Sequence, residues 1–179
     1  MAVIAAANAL VSLADVKYEW GRAQTDTGDD DRAQTLINNI SAVIELYCGR
    51  TFASTIYTDE LIDGTSSKYL QLKHWPVIAF STLKEDDATV DAANYKIYYA
   101  EGLIYTDGTW TVGAQNYKAT YTAGYAVLPA AIKQACIEWV IILLEGRFKD
   151  ADITGKDSHD IPGNVKLKLD MYRNLDITA

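Results

Sequence analysis

The sequence predicts an α+β fold in which a small helical bundle carries an inserted antiparallel β section. Apolar residues recur at helical spacing near both ends of the 179-residue chain, in residues 36–47 and again in 132–143. Between them lie short runs rich in Tyr, Thr, Ile and Val that Gly and Asp interrupt, a pattern typical of strands and turns. We expect one domain over 1–179, with N-terminal helices in 12–48, the β insertion in 51–122, a central helix in 129–148 and a C-terminal helix in 163–174.

The first helix has a recognisable start and end. Residues 1–11 are small and apolar without a period, which indicates an arm or a packed extension. Ser12 followed three residues later by Asp15 is a helix-capping pattern, because each group can bond the other's backbone N–H. A short helix is therefore predicted to run to about Trp20 and to end at Gly21.

The second helix is predicted to begin at an acidic run and to end at a glycine. Carboxylates stabilise the positive end of the helix dipole, and three of them precede the apolar stripe: Asp29, Asp30 and Asp31. The same run could ligate a cation, but the spacing of an EF-hand loop is absent, so the capping interpretation is preferred. The stripe continues to Cys48, and Gly49 is the expected residue after the helix.

The β insertion is predicted to hold seven strands, near residues 53–62, 68–73, 77–84, 95–99, 103–106, 109–112 and 117–122. Asp63-Gly64 and Asp107-Gly108 are hairpin signals, since both residue types accept a positive φ. Glu85-Asp86-Asp87 indicates a solvated turn. In the last strand, alternation places Tyr117, Ala119 and Tyr121 on one face.

The central helix should begin after Pro129, where a missing N–H costs nothing. Trp139 to Leu144 are six consecutive apolar residues, so the helix should be buried on all sides. A membrane span needs about 20 apolar residues, which excludes that alternative. We therefore expect a position in the core or under a neighbouring subunit for Trp139, Ile142 and Leu143. Gly146 and Arg147 mark the end of this helix.

The last helix follows a polar loop over 150–163 and should open at Pro162. It carries the apolar residues Val165, Leu167, Leu169 and Tyr172. With Lys166, Lys168 and Arg173 against Asp170, the segment 165–173 has a local charge of 3 − 1 = +2 in a chain whose net charge is −8. A basic segment in an acidic protein favours docking onto an acidic partner.

Composition excludes several classes of function. A net charge of −8 argues against tight general binding to nucleic acid, which needs clustered Lys and Arg. The two cysteines, Cys48 and Cys136, lie in apolar helical contexts and are predicted to be free and buried. The two histidines, His74 and His159, lie far apart without a C-x-x-C pair, so we expect neither a metal site nor a cofactor.

Catalytic motifs are also missing. The sequence contains no G-x-S-x-G, P-loop, H-E-x-x-H or G-x-G-x-x-G pattern. Asp157-Ser158-His159-Asp160 brings together a hydroxyl, an imidazole and two carboxylates. Triad members normally come from separate elements, so adjacency in one loop is not the expected geometry. The protein is therefore not expected to be an enzyme.

Tyrosines concentrate in the β section, where nine of the twelve lie between Tyr57 and Tyr125. One interpretation is β-propensity on half-buried faces. Another is an interface, because tyrosine combines an apolar body with a polar tip. Both stay open from the residues alone. A platform for single-stranded nucleic acid would need interleaved Lys and Arg, and this zone is acidic.

Three segments together carry a family resemblance. One is Y-x-A-T-Y-T-A-G-Y from Tyr117, followed by a proline-started helix with an apolar centre and a terminal Arg. The others are residues 10–17, LVSLADVK, and residues 44–52, IELYCGRTF. In this order they resemble the head-tail adaptor, or head completion, proteins of long-tailed bacteriophages. The β section is long for that family, and residues 1–11 and 150–163 have no counterpart that we can place.

The resemblance implies a structural protein of the virion neck, assembled in the host cytoplasm. Such proteins form a ring, usually dodecameric, below the portal, extend the DNA channel and meet the stopper or tail completion protein. Genomic DNA passes through without tight binding, and no membrane is involved. Family members use their C-terminal end to grip the portal, which implies portal binding by Val165, Lys166, Leu167, Lys168, Leu169, Tyr172 and Arg173. An acidic channel face is expected to use Asp29, Asp30, Asp31, Glu85, Asp86 and Asp87.

A second hypothesis comes from a different class of protein. A small monomeric binding module, tail-associated or carbohydrate-binding, could use Tyr and Trp faces in the same β section. The oligomeric state separates the two hypotheses, because a ring favours the adaptor and a monomer with affinity for sugar favours the module. An enzyme is the third alternative, which a substrate screen without turnover would exclude.

Overall fold

The structure, a computed structural model, describes residues 3–146 and 161–173. The chain divides into a helical unit, formed by residues 1–52 and 128–179, and a β unit, residues 53–127. The predicted α+β class is confirmed, with helices in the first unit and antiparallel sheets in the second. The single domain over 1–179 stays a prediction, as does its division at 12–48, 51–122, 129–148 and 163–174.

The helical unit contains four α-helices in the described residues: α1 Leu13–Glu19, α2 Asp30–Cys48, α3 Ala130–Leu144 and α4 Gly163–Asp170. α2 packs along α3, and both α1 and α4 contact each of these two helices. The core between them is aliphatic and includes both cysteines. Its buried members include Val16, Ile37, Ile40, Ile44, Cys48, Ile132, Cys136, Val140, Val165 and Leu169.

The helix ends match the sequence signals. The Ser12 hydroxyl accepts a hydrogen bond from the Asp15 backbone N–H at 3.1 Å, and the Asp15 carboxylate accepts one from the Ser12 N–H at 3.2 Å. α2 ends at Gly49, whose φ of 63° lies in the left-handed region that glycine adopts at low cost. Pro129 and Pro162 directly precede α3 and α4, as predicted.

The N-terminal segment, described from residue 3 to 11, lies along α2. The Val3 N–H donates to the Asp31 carboxylate at 3.0 Å, and the Leu10 N–H donates to the Ser41 hydroxyl at 3.0 Å. Polar side chains of α2 therefore satisfy backbone groups of this segment, which confirms a packed extension for these residues.

The β unit contains two antiparallel sheets. Their strands are β1 Thr55–Gly64, β2 Tyr69–Gln71, β3 Val77–Glu85, β4 Ala88–Thr89, β5 Lys96–Tyr98, β6 Leu103–Tyr105 and β7 Gly113–Ala123. One sheet has the order β1-β7-β3-β4, and the other has the order β2-β6-β5. A short 3₁₀ helix, Ala92–Asn94, precedes β5.

The predicted inner face of the last strand is confirmed. Tyr117, Ala119 and Tyr121 of β7 are all at most 1% exposed, within an apolar core shared by the two sheets. β7 lies between β1 and β3 in the larger sheet, so this central strand supplies the largest buried side chains of the β unit.

The predicted strand over 109–112 and its Asp107-Gly108 hairpin are wrong. β6 pairs with β2 on one side and β5 on the other, so neither edge is free for a further strand. The chain instead buries Trp110, whose indole N–H donates to the Ile104 carbonyl at 3.2 Å. Tertiary pairing thus overrides a strong local turn signal.

The Asp63-Gly64 hairpin is also wrong, because β1 pairs with β7 and not with the strand that follows it. Gly64 is needed for a close approach: a Cβ there would lie 1.7 Å from the Thr111 carbonyl oxygen. The predicted turn at residues 85–87 is confirmed as the β3–β4 hairpin. Asp86 and Asp87 have φ values of 46° and 67°, as the two central residues of a type I′ turn require.

Candidate assembly surfaces

The predicted portal segment is divided by its packing. Val165 and Leu169 are fully buried in the helical unit, so they are not available to a partner while α4 is docked. Four residues apart, they occupy one face of α4. Just beyond this helix, the Tyr172 ring meets Phe52 edge-on, with 6.2 Å between ring centroids.

The flanks of α4 are held by polar contacts with α3. The Glu138 carboxylate accepts hydrogen bonds from Lys168 Nζ at 2.5 Å and from Asn164 Nδ2 at 2.9 Å. Partial burial raises the pKa of Glu138, but the hydrogen bonds, led by that of Lys168, outweigh burial and hold this pKa below its ordinary value. Lys168 is therefore engaged within the chain.

A second polar contact ties α4 to the end of α2. The Tyr47 hydroxyl donates to the Asp170 carboxylate at 2.5 Å. This hydrogen bond raises the pKa of Tyr47, because ionised tyrosine could not donate it. The Arg173 guanidinium lies 5.2 Å from the centroid of the Tyr47 ring, within the range of a cation–π contact.

The outer face of α4 remains exposed and partly apolar. Leu167 and Met171, four residues apart, are 73% and 71% exposed, and Lys166 beside them is exposed as well. Of the predicted portal residues, these positions leave Lys166, Leu167 and Arg173 on the surface. Met171 was missed, although its spacing from Leu167 predicts the same face. We call Lys166, Leu167 and Met171 the α4 outer face.

The apolar centre of α3 is only partly covered. Trp139 is buried at 6% exposure, whereas Ile142 and Leu143 are half-buried. The expectation of burial on all sides is wrong within the helical unit, because Gln134 and Glu138 share one face, where their side chains are 3.2 Å apart. Coverage by a neighbouring subunit stays a prediction.

That face of α3 opens into a groove between α1 and α4. Two hollows of about 500 Å³ and about 240 Å³ share Glu19, Gln134 and Ile137, and so form one continuous depression. Ile141 and Ile142 extend its apolar floor. Its lining also includes Asp15 and Lys133, which form a salt bridge at 2.8 Å. The α3 groove is defined by Glu19, Gln134, Ile137, Glu138, Ile141 and Ile142.

The acidic run before α2 is largely engaged inside the helical unit. Asp30 forms a salt bridge with Lys17 at 2.7 Å, and Lys17 itself is buried. Asp31 accepts the hydrogen bond from Val3 described above. Asp29, the N-cap residue, makes no side-chain capping bond and is exposed. Of the three predicted channel residues here, Asp29 is the most exposed to solvent.

The acidic turn of the β unit is also partly compensated. Glu85 accepts a hydrogen bond from the Tyr117 hydroxyl at 2.9 Å. Asp87 pairs with Lys118, and the hydrogen bond from that ammonium group holds the pKa of Asp87 below its ordinary value. Asp86 is exposed at the tip of the turn.

The outer face of the smaller sheet is a tyrosine cluster. Tyr69 of β2 pairs with Tyr105 of β6, with 5.2 Å between their ring centroids. Tyr98 of β5 lies 6.4 Å from each of these rings. Tyr69 and Tyr98 are both 44% exposed, so the cluster faces solvent. We call Tyr69, Tyr98 and Tyr105 the tyrosine face.

Tyr121, Glu60 and His74 form a buried polar cluster in the β unit. The Tyr121 hydroxyl donates to Glu60 at 2.6 Å and accepts from the His74 backbone N–H at 3.2 Å. Burial raises the pKa of Tyr121 and lowers the pKa of His74. The His74 ring stacks on Tyr57 with 3.8 Å between centroids. These contacts satisfy one another and fix the segment before β3.

The described residues show little reactive chemistry. Cys48 and Cys136 are free and buried, as predicted, and burial raises their pKa values to about 11 and about 12. Within the described ranges, His, Cys, Asp and Glu nowhere gather in a group of three that could hold a metal ion. The Asp157–Asp160 motif, Arg147 and most of the 150–163 loop lie outside the described residues.

The helices within residues 3–146 and 161–173 are each too short or too polar to cross a membrane.

Comparison with solved structures shows a shared fold. A chain from the neck of an empty gene transfer agent (GTA) particle, reconstructed with C6 symmetry, superimposes with a TM-score of 0.66 at 16% identity. A chain from the neck of the native particle, reconstructed with C12 symmetry, gives a TM-score of 0.62 at 16% identity. A chain from the native virion gives 0.61 at 17%. Each match covers 99% of this chain and 96% of the other.

Comparison of sequences identifies the family. None of the curated proteins compared with this chain matches it. The head completion protein family matches residues 9–175, which include both units and all four helices. This range also contains the three segments whose resemblance to that family was noted from the sequence. The chain belongs to the head completion protein family.

Proposed function

We propose that this protein is a structural component of a phage-like neck, where it forms a ring below the portal and joins the head to the stopper or tail. The observation that carries the proposal is the family match over residues 9–175. The fold shared with neck chains over 99% of this chain supports it. The C12 symmetry of one of those necks supports a ring of twelve copies. The proposed role requires no catalytic residue or cofactor.

Negative-stain electron microscopy tests this function directly. The purified protein should form rings with a central channel, either alone or when mixed with portal particles. The added ring should lie at the narrow end of the portal, coaxial with its channel. A protein that stays monomeric and leaves the portal unchanged would contradict the proposal.

We assign portal contact to the α4 outer face, since Val165 and Leu169 are engaged in the helical core. Leu167 and Met171 offer an apolar pair, and the exposed Lys166 can meet an acidic rim on the partner.

Leu167→Glu is therefore expected to weaken co-sedimentation with portal by about tenfold or more, because a carboxylate would be placed in an apolar contact. Its thermal stability should remain that of wild type, since the side chain is 73% exposed. Ile56→Glu, a change at another exposed apolar residue in the β unit, is the control and should leave portal binding intact. Unchanged binding by Leu167→Glu would assign the portal contact to another surface.

The channel face is proposed to be acidic, so that DNA passes without being held. Phosphate binding relies on Lys and Arg, whereas this chain has 24 acidic against 16 basic residues. Asp29 and Asp86 are the most exposed candidates of the two acidic runs.

We expect the isolated protein to show no submicromolar binding to duplex DNA at low salt, measured by fluorescence anisotropy. Tight binding that falls steeply as salt is added would contradict an acidic channel, because such salt dependence reports phosphate neutralisation.

The tyrosine face favours a second candidate function, a binding module for sugars or for tail components. Exposed tyrosine rings can stack on a sugar, and the three rings lie within 6.4 Å of one another. A monomeric protein that binds glycans, and loses this binding in Tyr98→Ala, would support the module over the adaptor. Glycan binding should be absent if the tyrosine face only contacts neighbouring proteins of the neck.

A further inference from the structure

The helical unit has a second exposed apolar surface besides the α4 outer face, on α2. Leu46 and Val43 are 82% and 40% exposed, although they lie within a well-packed helix. They are three residues apart and so lie next to each other on the helix surface. We call Val43 and Leu46 the α2 ridge.

The α2 ridge points away from α3. Ser41 of α2 faces α3, since its hydroxyl oxygen lies 3.9 Å from Cys136 Sγ, and Ile44 is fully buried. Successive residues of an α-helix turn by about 100°, so Leu46 is rotated by about 200° from Ile44 and by about 140° from Ser41. The ridge is therefore on the side of α2 opposite its packed face.

The α3 groove points the other way. Cys136 marks the side of α3 that faces α2. Five residues later, Ile141 is rotated by about 140° from it, and Gln134 by about 160°. Both residues line the groove. The apolar ridge and the apolar groove thus lie on opposite sides of the α2–α3 pair.

The two surfaces also differ in charge. The lining of the α3 groove includes Asp15, Glu19 and Glu138 against Lys133. On α2, the exposed residues from Arg32 to Leu46 include no carboxylate, and Arg32 is their one charged member. In a chain with 24 acidic residues, this difference makes the α2 side complementary to the groove.

We propose that the α2 ridge of one copy docks into the α3 groove of the next copy, and that this contact builds the ring. The inference rests on the proposed function, which supplies the ring. A contact between two different surfaces on opposite sides of a protomer is heterologous, and repetition of such a contact closes a ring when the rotation allows it. Leu46 and Val43 cover Ile141 and Ile142, while Tyr18, which is 78% exposed at the same groove, adds an aromatic contact at the edge.

A pair of charge substitutions tests which surface is used. Leu46→Glu should weaken self-association by about tenfold or more in analytical ultracentrifugation, because a carboxylate would be buried against the isoleucine floor. Leu167→Glu, an equally exposed position on the α4 outer face, is the matched control and should assemble like wild type. Circular dichroism should show native helix content for both variants. Wild-type assembly by Leu46→Glu would overturn the inference.

Mixed cysteine variants test the direction of the contact. Leu46→Cys and Ile141→Cys proteins, mixed at assembly concentration and oxidised, should give disulfide-linked dimers, whereas each variant alone should give none. The native Cys48 and Cys136 are buried and do not compete. If Ile141→Cys fails to fold, Gln134→Cys supplies a thiol at the same groove. Dimers from Leu46→Cys alone would show a two-fold contact instead and overturn the inference.

The outcomes separate this inference from the proposed function. Wild-type rings without a disulfide in the mixture, or with assembly of Leu46→Glu intact, would overturn the interface and leave the neck role standing. Wild-type protein that stays monomeric with and without portal would overturn both.

Discussion

Trp139→Ala is expected to lower the free energy of unfolding of the helical unit by about 3–5 kcal/mol. The Trp139 side chain is buried at 6% exposure in α3, the helix that contacts all three other helices of this unit. Truncation to alanine removes the largest side chain of α3 and leaves a cavity that the surrounding helices can fill only in part. Chemical denaturation followed by far-ultraviolet circular dichroism measures the loss.

Ile142→Ala is the control on the same helix. Ile142 is half-buried and lies at the open groove, so its truncation should cost clearly less in the monomer. A Trp139→Ala variant with wild-type stability would show that Trp139 does not belong to the core. A large loss for Ile142→Ala that appears only at concentrations where rings form would indicate coverage by a neighbouring copy.

Leu169→Ala is expected to cost about 2–5 kcal/mol, since Leu169 is fully buried between α4 and the rest of the helical unit. The same truncation two residues earlier, Leu167→Ala, should change stability by no more than about 0.5 kcal/mol, because that side chain is 73% exposed. Thermal and urea denaturation of both variants, measured side by side, give the comparison. The two leucines share one helix, so helix propensity changes equally and the difference reports burial alone.

This pair also tests how α4 is held in solution. Equal and small effects would show that α4 is undocked from the helical unit. All seven residues of the predicted portal segment would then be available to a partner. The expected contrast would confirm that Val165 and Leu169 stabilise this protein's own fold, and would restrict the portal contact to the exposed side.

The helices were predictable because their signals are local. The Ser12–Asp15 capping pattern, the left-handed Gly49 and the prolines before α3 and α4 act within one helical turn, so the sequence specifies these ends directly. The buried face of β7 was predictable for a similar reason, because alternation over Tyr117 to Tyr121 fixes which side chains share a side.

The pairing of the strands was not predictable in the same way. A turn signal such as Asp107-Gly108 reports that the chain can reverse, but it does not specify which strand pairs with which. β6 received partners 34–36 residues earlier in the chain, since Tyr69 pairs with Tyr105 and Gln71 with Leu103. Such long-range pairing depends on the whole core, and no window of a few residues contains that information.

The candidate surfaces were partly predictable. The apolar and basic residues of α4 were identified from sequence, but only packing shows that Lys168 bonds Glu138 while Leu167 faces solvent. The α2 ridge was missed, because Val43 fits the apolar stripe of α2 and Leu46 is ordinary in an amphipathic helix. An exposed apolar residue becomes visible only once the opposite face is known to be filled.

The two native thiols make this chain a convenient background for fluorescent labelling. A maleimide reacts with the thiolate, and Cys48 and Cys136 are buried with pKa values raised to about 11 and about 12, so both stay protonated and shielded at neutral pH. A single dye placed through an added cysteine at exposed Ala42 or Thr35 would then report on that position alone. Photobleaching steps counted on individual particles would give the number of copies in each neck without any need to average images under an assumed symmetry.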